Sequence, residues 1–205
     1  MPRFKSRQTQ IGYFVVFVTG FRLGAKTDTS QMARTPLPGL LRDVMGVTVE
    51  DYIPIYSAKQ GVKFSAALAG PDATCGLWAD ILQPSGADVL GTYTAGAHAG
   101  RPAVTANKFG KGKAVYIGGD LDVPSLSRVL QSLAKSAGVQ RPMEVPHGVE
   151  LTVRTAGSKQ CIFLLNHTAE TQTIRLAKSV TEVLSQKTLN EKISLEAYGV
   201  RILEA

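Results

Sequence analysis

Asp120 and Asp122 stand two positions apart, just past the apolar run Ala114–Ile117. Residues two apart in an extended chain share a face, so the two carboxylates could hold a metal ion or pass a proton. Strand ends are where sites of α/β folds gather. Asp122 also precedes Pro124 and a helical apolar period, and the simpler reading is a helix N-cap with Asp120 a solvated loop residue. Gly20-Phe-Arg-Leu-Gly-Ala-Lys-Thr27 follows an apolar run, as a phosphate loop would. Such a loop needs four residues between its glycines and Lys directly after the second. Here three intervene, Ala25 separates Gly24 from Lys26, and no helix opens at Thr27 to face a phosphate. The segment reads as a solvated loop. His98, His147 and His167 have no partner at HxxxH or HxE spacing. His98, in a Gly/Ala loop, is the one best placed to line a cleft, and the other two fit structural hydrogen bonds. Cys75 in Ala-Thr-Cys-Gly-Leu fails the pattern of a nucleophile elbow, and no histidine can be assigned to it. Asn166-His-Thr168 matches a glycosylation sequon by pattern.

Composition narrows the class of molecule that must hold these residues. A chain of 205 residues, 44% hydrophobic and 19% charged, can bury one or two cores and is not disordered. A net charge of +7 raises nucleic acid as a partner, but the 23 Lys and Arg are dispersed. The densest groups, Arg3/Lys5/Arg7 and Lys108/Lys111/Lys113, lack the aromatic interleaving of a stacking platform, so no nucleic-acid partner is expected. Cys75 and Cys161 form no CxxC and no metal-ligand spacing. They read as free thiols of a reduced, cytoplasmic compartment, with a disulfide left open. The basic N-terminus before Ile11–Val18 imitates a secretory leader, but Arg22 and Lys26 follow closely and no small-x-small cleavage site appears. The run is also short of the roughly 18–20 residues that cross a membrane. A buried strand, with no membrane partner, is the reading.

The elements that would position these residues fall into two sets. Tyr13–Val18 is continuously apolar, as in a central strand of a parallel sheet. Thr35 can cap a short helix with Pro36 in its first position, Leu37, Leu40, Leu41, Val44 and Met45 on one face, and Gly46 as its stop. Strands are expected at Val47–Ile53, Val62–Leu68, Leu77–Leu82 and Asp88–Tyr93. Ala103–Asn107 and Ala114–Ile117 read as a hairpin around Phe109-Gly-Lys-Gly-Lys113. A second helix follows, capped by Asp122, apolar at Leu126, Val129, Leu130, Leu133, Ala134 and Ala137, and ended by Gly138. The pattern predicts a layered α/β domain over 1–144. Beyond the Pro/Gly-rich Gly138–Gly148, strands at Val149–Val153, Cys161–Leu165, Thr171–Leu176, Val180–Leu184, Lys192–Leu195 and Val200–Leu203 predict a small antiparallel β-sandwich over 145–205.

Ordered short segments carry a resemblance. They are Leu37-Pro-Gly-Leu-Leu-Arg-Asp43 with Gly46-Val-Thr-Val-Glu50, Gly100-Arg-Pro-Ala-Val104, and Phe109-Gly-Lys-Gly-Lys-Ala-Val-Tyr116. Gly148-Val-Glu150, Phe163-Leu-Leu-Asn-His-Thr168 and Tyr198-Gly-Val200 continue the series. Together the chain resembles the C-terminal part of a glycoside hydrolase family 42 β-galactosidase. The resemblance implies a trimerisation domain with a flavodoxin-like or class I glutamine amidotransferase-like fold, here lacking its first strand and helix, followed by the C-terminal β-sandwich. Family members place two catalytic glutamates on the strands of a preceding (β/α)8 barrel, a retaining pair about 5–5.5 Å apart. None of these residues has a counterpart here, so the resemblance assigns no catalytic, cofactor or metal residue and predicts an inactive chain. It implies a homotrimer or association with a β-galactosidase barrel, with possible galactoside contact. The candidate cleft or interface loop residues are Arg22, Lys26, His98 and Arg101. Two departures stand out: Gly24-Ala-Lys-Thr-Asp28-Thr-Ser replaces a Gly-x-Lys-Asp-Glu-Asn run, and the opening Met1–Gln10 matches nothing in the family. The chain is expected to be a fragment on that account. The competing reading is a stand-alone carbohydrate-binding or regulatory module without hydrolase activity.

Overall fold

The computed structural model describes residues 15–19, 22–56, 59–68, 70–139 and 141–204. They divide into two compact units, one holding the described residues up to Val139 and the other those from Arg141 onward.

The first unit contains β1 (Val15–Thr19), α1 (Arg42–Met45), β2 (Val47–Pro54), β3 (Gln60–Phe64) and β4 (Ala73–Pro84). It continues with β5 (Asp88–Tyr93), β6 (Pro102–Phe109), β7 (Gly112–Ile117), β8 (Gly119–Leu121) and α2 (Val123–Ser136). The sheet runs β1-β7-β6-β5-β3-β4-β2, and β8 pairs with β4. Because β8 continues β7 past Gly118, this pairing curls the sheet back on itself. Two backbone bonds stitch the seam: Asp80 N–H donates to the Gly118 carbonyl at 2.5 Å, and Gly118 N–H donates to the Ala103 carbonyl at 2.8 Å. Of the described ladders only β1–β7 is parallel, in register from Val15 opposite Lys113 to Thr19 opposite Ile117; the others are antiparallel. The unit is thus a mostly antiparallel sheet with one long helix, more strand-rich than an alternating α/β layer. Of the expected first strand, Tyr13 and Phe14 lie outside the described residues.

β7 is buried on both faces, which its uninterrupted apolar run dictates. Val115 and Ile117 join the main core with Val62, Ala79, Ile81 and Val104. Ala114 and Tyr116 join a smaller cluster with Met45, Val47 and Leu82. The helix α2 covers the main core through Val129 and Leu133. Its start is as the sequence predicts: Asp122 Oδ1 accepts the Ser125 N–H at 2.9 Å, with Pro124 in the first turn. Gly138 follows its end at φ +74°.

Several local expectations need correction. The helix expected from Thr35 begins later, as a short 3-10 turn over Gly39–Leu41 followed by α1, and Thr35 caps nothing. Pro38 lacks an N–H and Gly39 sits at φ +60°, so the helical run cannot cross them. Leu40 is consequently 88% exposed rather than on a buried face. Gly46 does stop the helix in the left-handed region. The expected strand Val62–Leu68 ends at Phe64 and turns into a 3-10 segment over Ala66–Leu68. The expected strand Leu77–Leu82 extends to twelve residues, because its two halves find different partners, β3 and β2. The hairpin forms with Phe109 opposite Gly112, and Gly110, at φ +55°, opens its two-residue turn.

The second unit is an antiparallel arrangement of β9 (Val149–Ala156), β10 (Lys159–Asn166), β11 (Gln172–Arg175) and β12 (Val180–Glu182), with β13 (Thr188–Leu189), β14 (Lys192–Leu195) and β15 (Val200–Glu204). A five-stranded sheet in the order β13-β12-β15-β10-β9 is accompanied by the pair β11–β14. Ile162, Leu164, Ile174, Ile193, Leu195 and Leu203 form its core. The two-residue β13, paired with β12, was absent from the sequence expectation, being too short to show alternation.

Candidate functional site

The loop bearing Arg22 and Lys26 leaves β1 where Thr19 lies opposite Ile117. The loop bearing His98 and Arg101 enters β6 just before Val104, which also lies opposite Ile117. Both loops therefore leave the same end of the sheet. Arg22 is exposed at φ +71° and its carbonyl accepts the Ala25 N–H at 3.0 Å; Lys26 bridges Met32 through the backbone. His98 ends a 3-10 turn over Gly96–His98 and is half-buried. Arg101 reaches across to Glu50 on β2, where its Nη2 pairs with Oε2. That ion pair ties the His98 loop to the β-bulge between Val49 and Asp51.

A buried polar cluster around Asp80 was missed by sequence reasoning. Asp80 is 2% exposed, and its Oδ2 accepts the Tyr116 hydroxyl at 2.8 Å. Tyr93 donates to the Asp80 and Gly118 carbonyls at 3.0 and 3.2 Å. Burial pushes the Asp80 carboxyl up to about 6, and the Tyr116 hydrogen bond only partly opposes it. Burial, followed by the neighbouring Asp80 charge, also raises Tyr116. Tyr93 is raised by burial, then by Cys75 and Asp80. The group closes the sheet at Gly118. An aspartate between Ala79 and Ile81 gives a single break in an apolar run, which is the one signal that could have found it.

The other candidates resolve into structural roles. Asp122 uses both oxygens: Oδ1 caps α2, and Oδ2 accepts the Thr74 N–H at 2.8 Å and its hydroxyl at 3.2 Å. Burial works against its ionisation, but these bonds outweigh it and hold the carboxyl down to about 2. Cys75 is buried, and burial with the charge of Asp120 pushes its thiol up to about 11, so it is a poor nucleophile. Cys75 and Cys161 are both free thiols. Asn166 is 3% exposed; its Nδ2 donates to the carbonyls of Glu170, Leu195 and Glu196, and its Oδ1 accepts the Thr168 N–H and hydroxyl. The amide of the sequon is thus closed to modification in the folded unit. His167 Nε2 lies 3.0 Å from Glu150 Oε2 on the surface. Glu182 is buried, and hydrogen bonds from Ser185 hold its carboxyl below the usual range. Among the described residues no group of three or more His, Cys, Asp and Glu could hold a metal ion. No helix among them is long and apolar enough to cross a membrane.

The described residues form a curled, mostly antiparallel domain and a small antiparallel unit, a two-domain β-rich class whose described buried acids are engaged in structural hydrogen bonds. Comparison with known proteins gives the family. Residues 15–140 match the β-galactosidase trimerisation domain and residues 148–205 the β-galactosidase C-terminal domain. The chain belongs to the glycoside hydrolase family 42 β-galactosidases and matches their non-catalytic trimerisation and C-terminal domains. It is 34% identical over 188 residues to the β-galactosidase LacZ of Heyndrickxia coagulans, a match covering 92% of this chain and 28% of that one. It is 33% identical over 191 residues to BgaP of Planococcus sp. (strain L4), covering 91% and 28%. The crystal structure of the Bacillus circulans sp. alkalophilus β-galactosidase superposes with a TM-score of 0.84 at 28% identity, covering 94% of this chain and 29% of that one. That of Rahnella sp. R3 gives 0.80 at 30% identity, covering 93% and 28%. The chain therefore spans about 28% of the length of these two relatives.

Proposed function

We propose that this chain is the assembly and accessory portion of a β-galactosidase acting on terminal β-D-galactosides, gathering three copies into a homotrimer. Glycoside cleavage then belongs to a catalytic barrel outside these 205 residues. The observation that carries this reading is the match of both accessory domains, in order, over nearly the whole chain. Within it, the domains divide at 144/145, and the first is a flavodoxin-like or amidotransferase-like layer in which antiparallel pairing has spread. The parallel β1–β7 ladder supports that ancestry. The two free thiols support a cytoplasmic location. Arg22, Lys26, His98 and Arg101, on loops leaving one end of the sheet, border a neighbouring subunit or a galactoside there.

Sedimentation velocity across a concentration series tests the reading. A trimer populated as concentration rises is expected; a monomer at the highest concentration overturns autonomous trimerisation. A stand-alone carbohydrate-binding role is favoured by the same exposed loops. NMR titration with a galactoside separates the two, since shifts confined to those loops would mark a sugar site.

A further inference from the structure

The two ends of the β7–β8 strand carry opposite charge, and both expose apolar side chains. At one end the turn at Gly110-Lys111 holds Lys108, Lys111 and Lys113 in solvent around Phe109, which is 50% exposed. Lys108 and Lys113 lie directly opposite each other across the β6–β7 ladder. Like charges so placed weaken strand pairing, and among the described residues neither lysine is in an ion pair. The acids nearest along the chain and ladder are Asp88, on the strand beside β6 and opposite Ala106, and Asp43, which has Arg42 at 3.9 Å. The hairpin thus carries a local conflict with no relief from its own strands, the kind of departure that marks a contact surface.

At the other end Asp120 and Asp122 straddle the end of β8, and Asp72 lies one residue ahead of β4, whose Thr74 is bound by Asp122. Leu77 is 68% exposed and Val123 77% exposed beside these acids. The cations on this side are Lys59, which is exposed, and Arg128, whose Nη2 donates to the Pro71 carbonyl at 2.6 Å. From Gly112 to Leu121 an extended strand covers about 30 Å, so the two ends cannot meet within one chain. Patches of opposite sign at opposite ends of one subunit make a head-to-tail contact, and such contacts close into a ring when the rotation allows.

We propose that the Lys108–Lys113 hairpin of one copy docks on the Asp72/Asp120/Asp122 end of the next, with Phe109 seated against Leu77 and Val123. This rests on the assembly reading above and supplies its seam. Charge reversal of each side, alone and together, tests it in the full chain by sedimentation velocity. Lys108→Glu with Lys111→Glu, and separately Asp72→Lys with Asp120→Lys, should each weaken association about tenfold or more, and combining all four should restore it. Lys111→Gln, in a solvent-exposed turn and safe for folding, should weaken it less and flatten its salt dependence. A melting curve confirms that each variant is folded. Reversals that leave association unchanged, or a combined variant that stays dissociated, overturn the seam and leave trimerisation standing. A wild-type chain that is monomeric throughout overturns both.

Discussion

Asp80 in the first unit and Asn166 in the second occupy comparable places, each a polar side chain 2–3% exposed where two stretches of sheet must be held together. Asp80 closes the seam of the curled sheet at Gly118, and Asn166 joins the end of β10 to the end of β14 through the Leu195 and Glu196 carbonyls. Their chemistry differs. Asn166 is neutral and saturated with partners. Asp80 is ionisable, and its charged form receives one phenolic hydrogen bond against the cost of burial. A saturated amide fixes geometry at any pH, whereas a buried carboxylate makes the same closure depend on proton concentration.

The comparison is broken most severely by Asn166→Ala. It would orphan carbonyls at Glu170, Leu195 and Glu196 together and should cost about 3–4 kcal/mol, the sum expected of several lost buried hydrogen bonds. Chemical denaturation should show the second unit's transition moving to lower denaturant while the first unit's stays in place.

The Asp80 closure should reveal itself through pH. Its folded carboxyl titrates near 6, above the ordinary 3.8, so the folded state holds more protons than the unfolded one between those values. Stability should therefore be greatest at the acid side and fall by about 2–3 kcal/mol as pH rises through this window, then level off. Asp80→Asn should flatten that segment of the profile for the first unit. An unchanged slope would show that Asp80 is not its source.

The smallest effect sharpens the contrast between hubs and surface. His167→Ala removes an exposed pair with Glu150, whose side chains are 59% and 50% exposed, and thermal melting should register about 0.5 kcal/mol or less. His167 and Asn166 are adjacent in sequence, so the difference between their substitutions isolates burial from position.

Much of this was legible in the sequence where a local rule suffices. The Asp122 cap, the apolar stripe of α2, the left-handed Gly46 and the glycine turn at Gly110 all follow from single-residue chemistry. The layered α/β character expected of the first half did not follow, because its sheet is mostly antiparallel. What was not legible depends on partners distant in the chain. The strand β4 looks like a six-residue segment until β2 and β3 share it. The importance of Asp80 depends on Tyr116, 36 positions away. Asn166 appeared as a sequon because the pattern is local, while the carbonyls it binds at Leu195 and Glu196 lie about thirty positions on. The helix expected at Thr35 failed because its apolar spacing was read across Pro38 and Gly39, whose backbone preferences outweigh periodicity.

One feature of the first unit bears on how it opens. The β7–β8 strand bonds to β1 and β6 along its first half and to β4 along its second. Like β4, which pairs with β2, β3 and β8, it shares its amides among three neighbours, so loosening of the β2 edge alone does not free them. In hydrogen–deuterium exchange these protons wait for the whole unit to unfold, and their rate is a direct reading of its global stability, a built-in clock in the middle of the sheet.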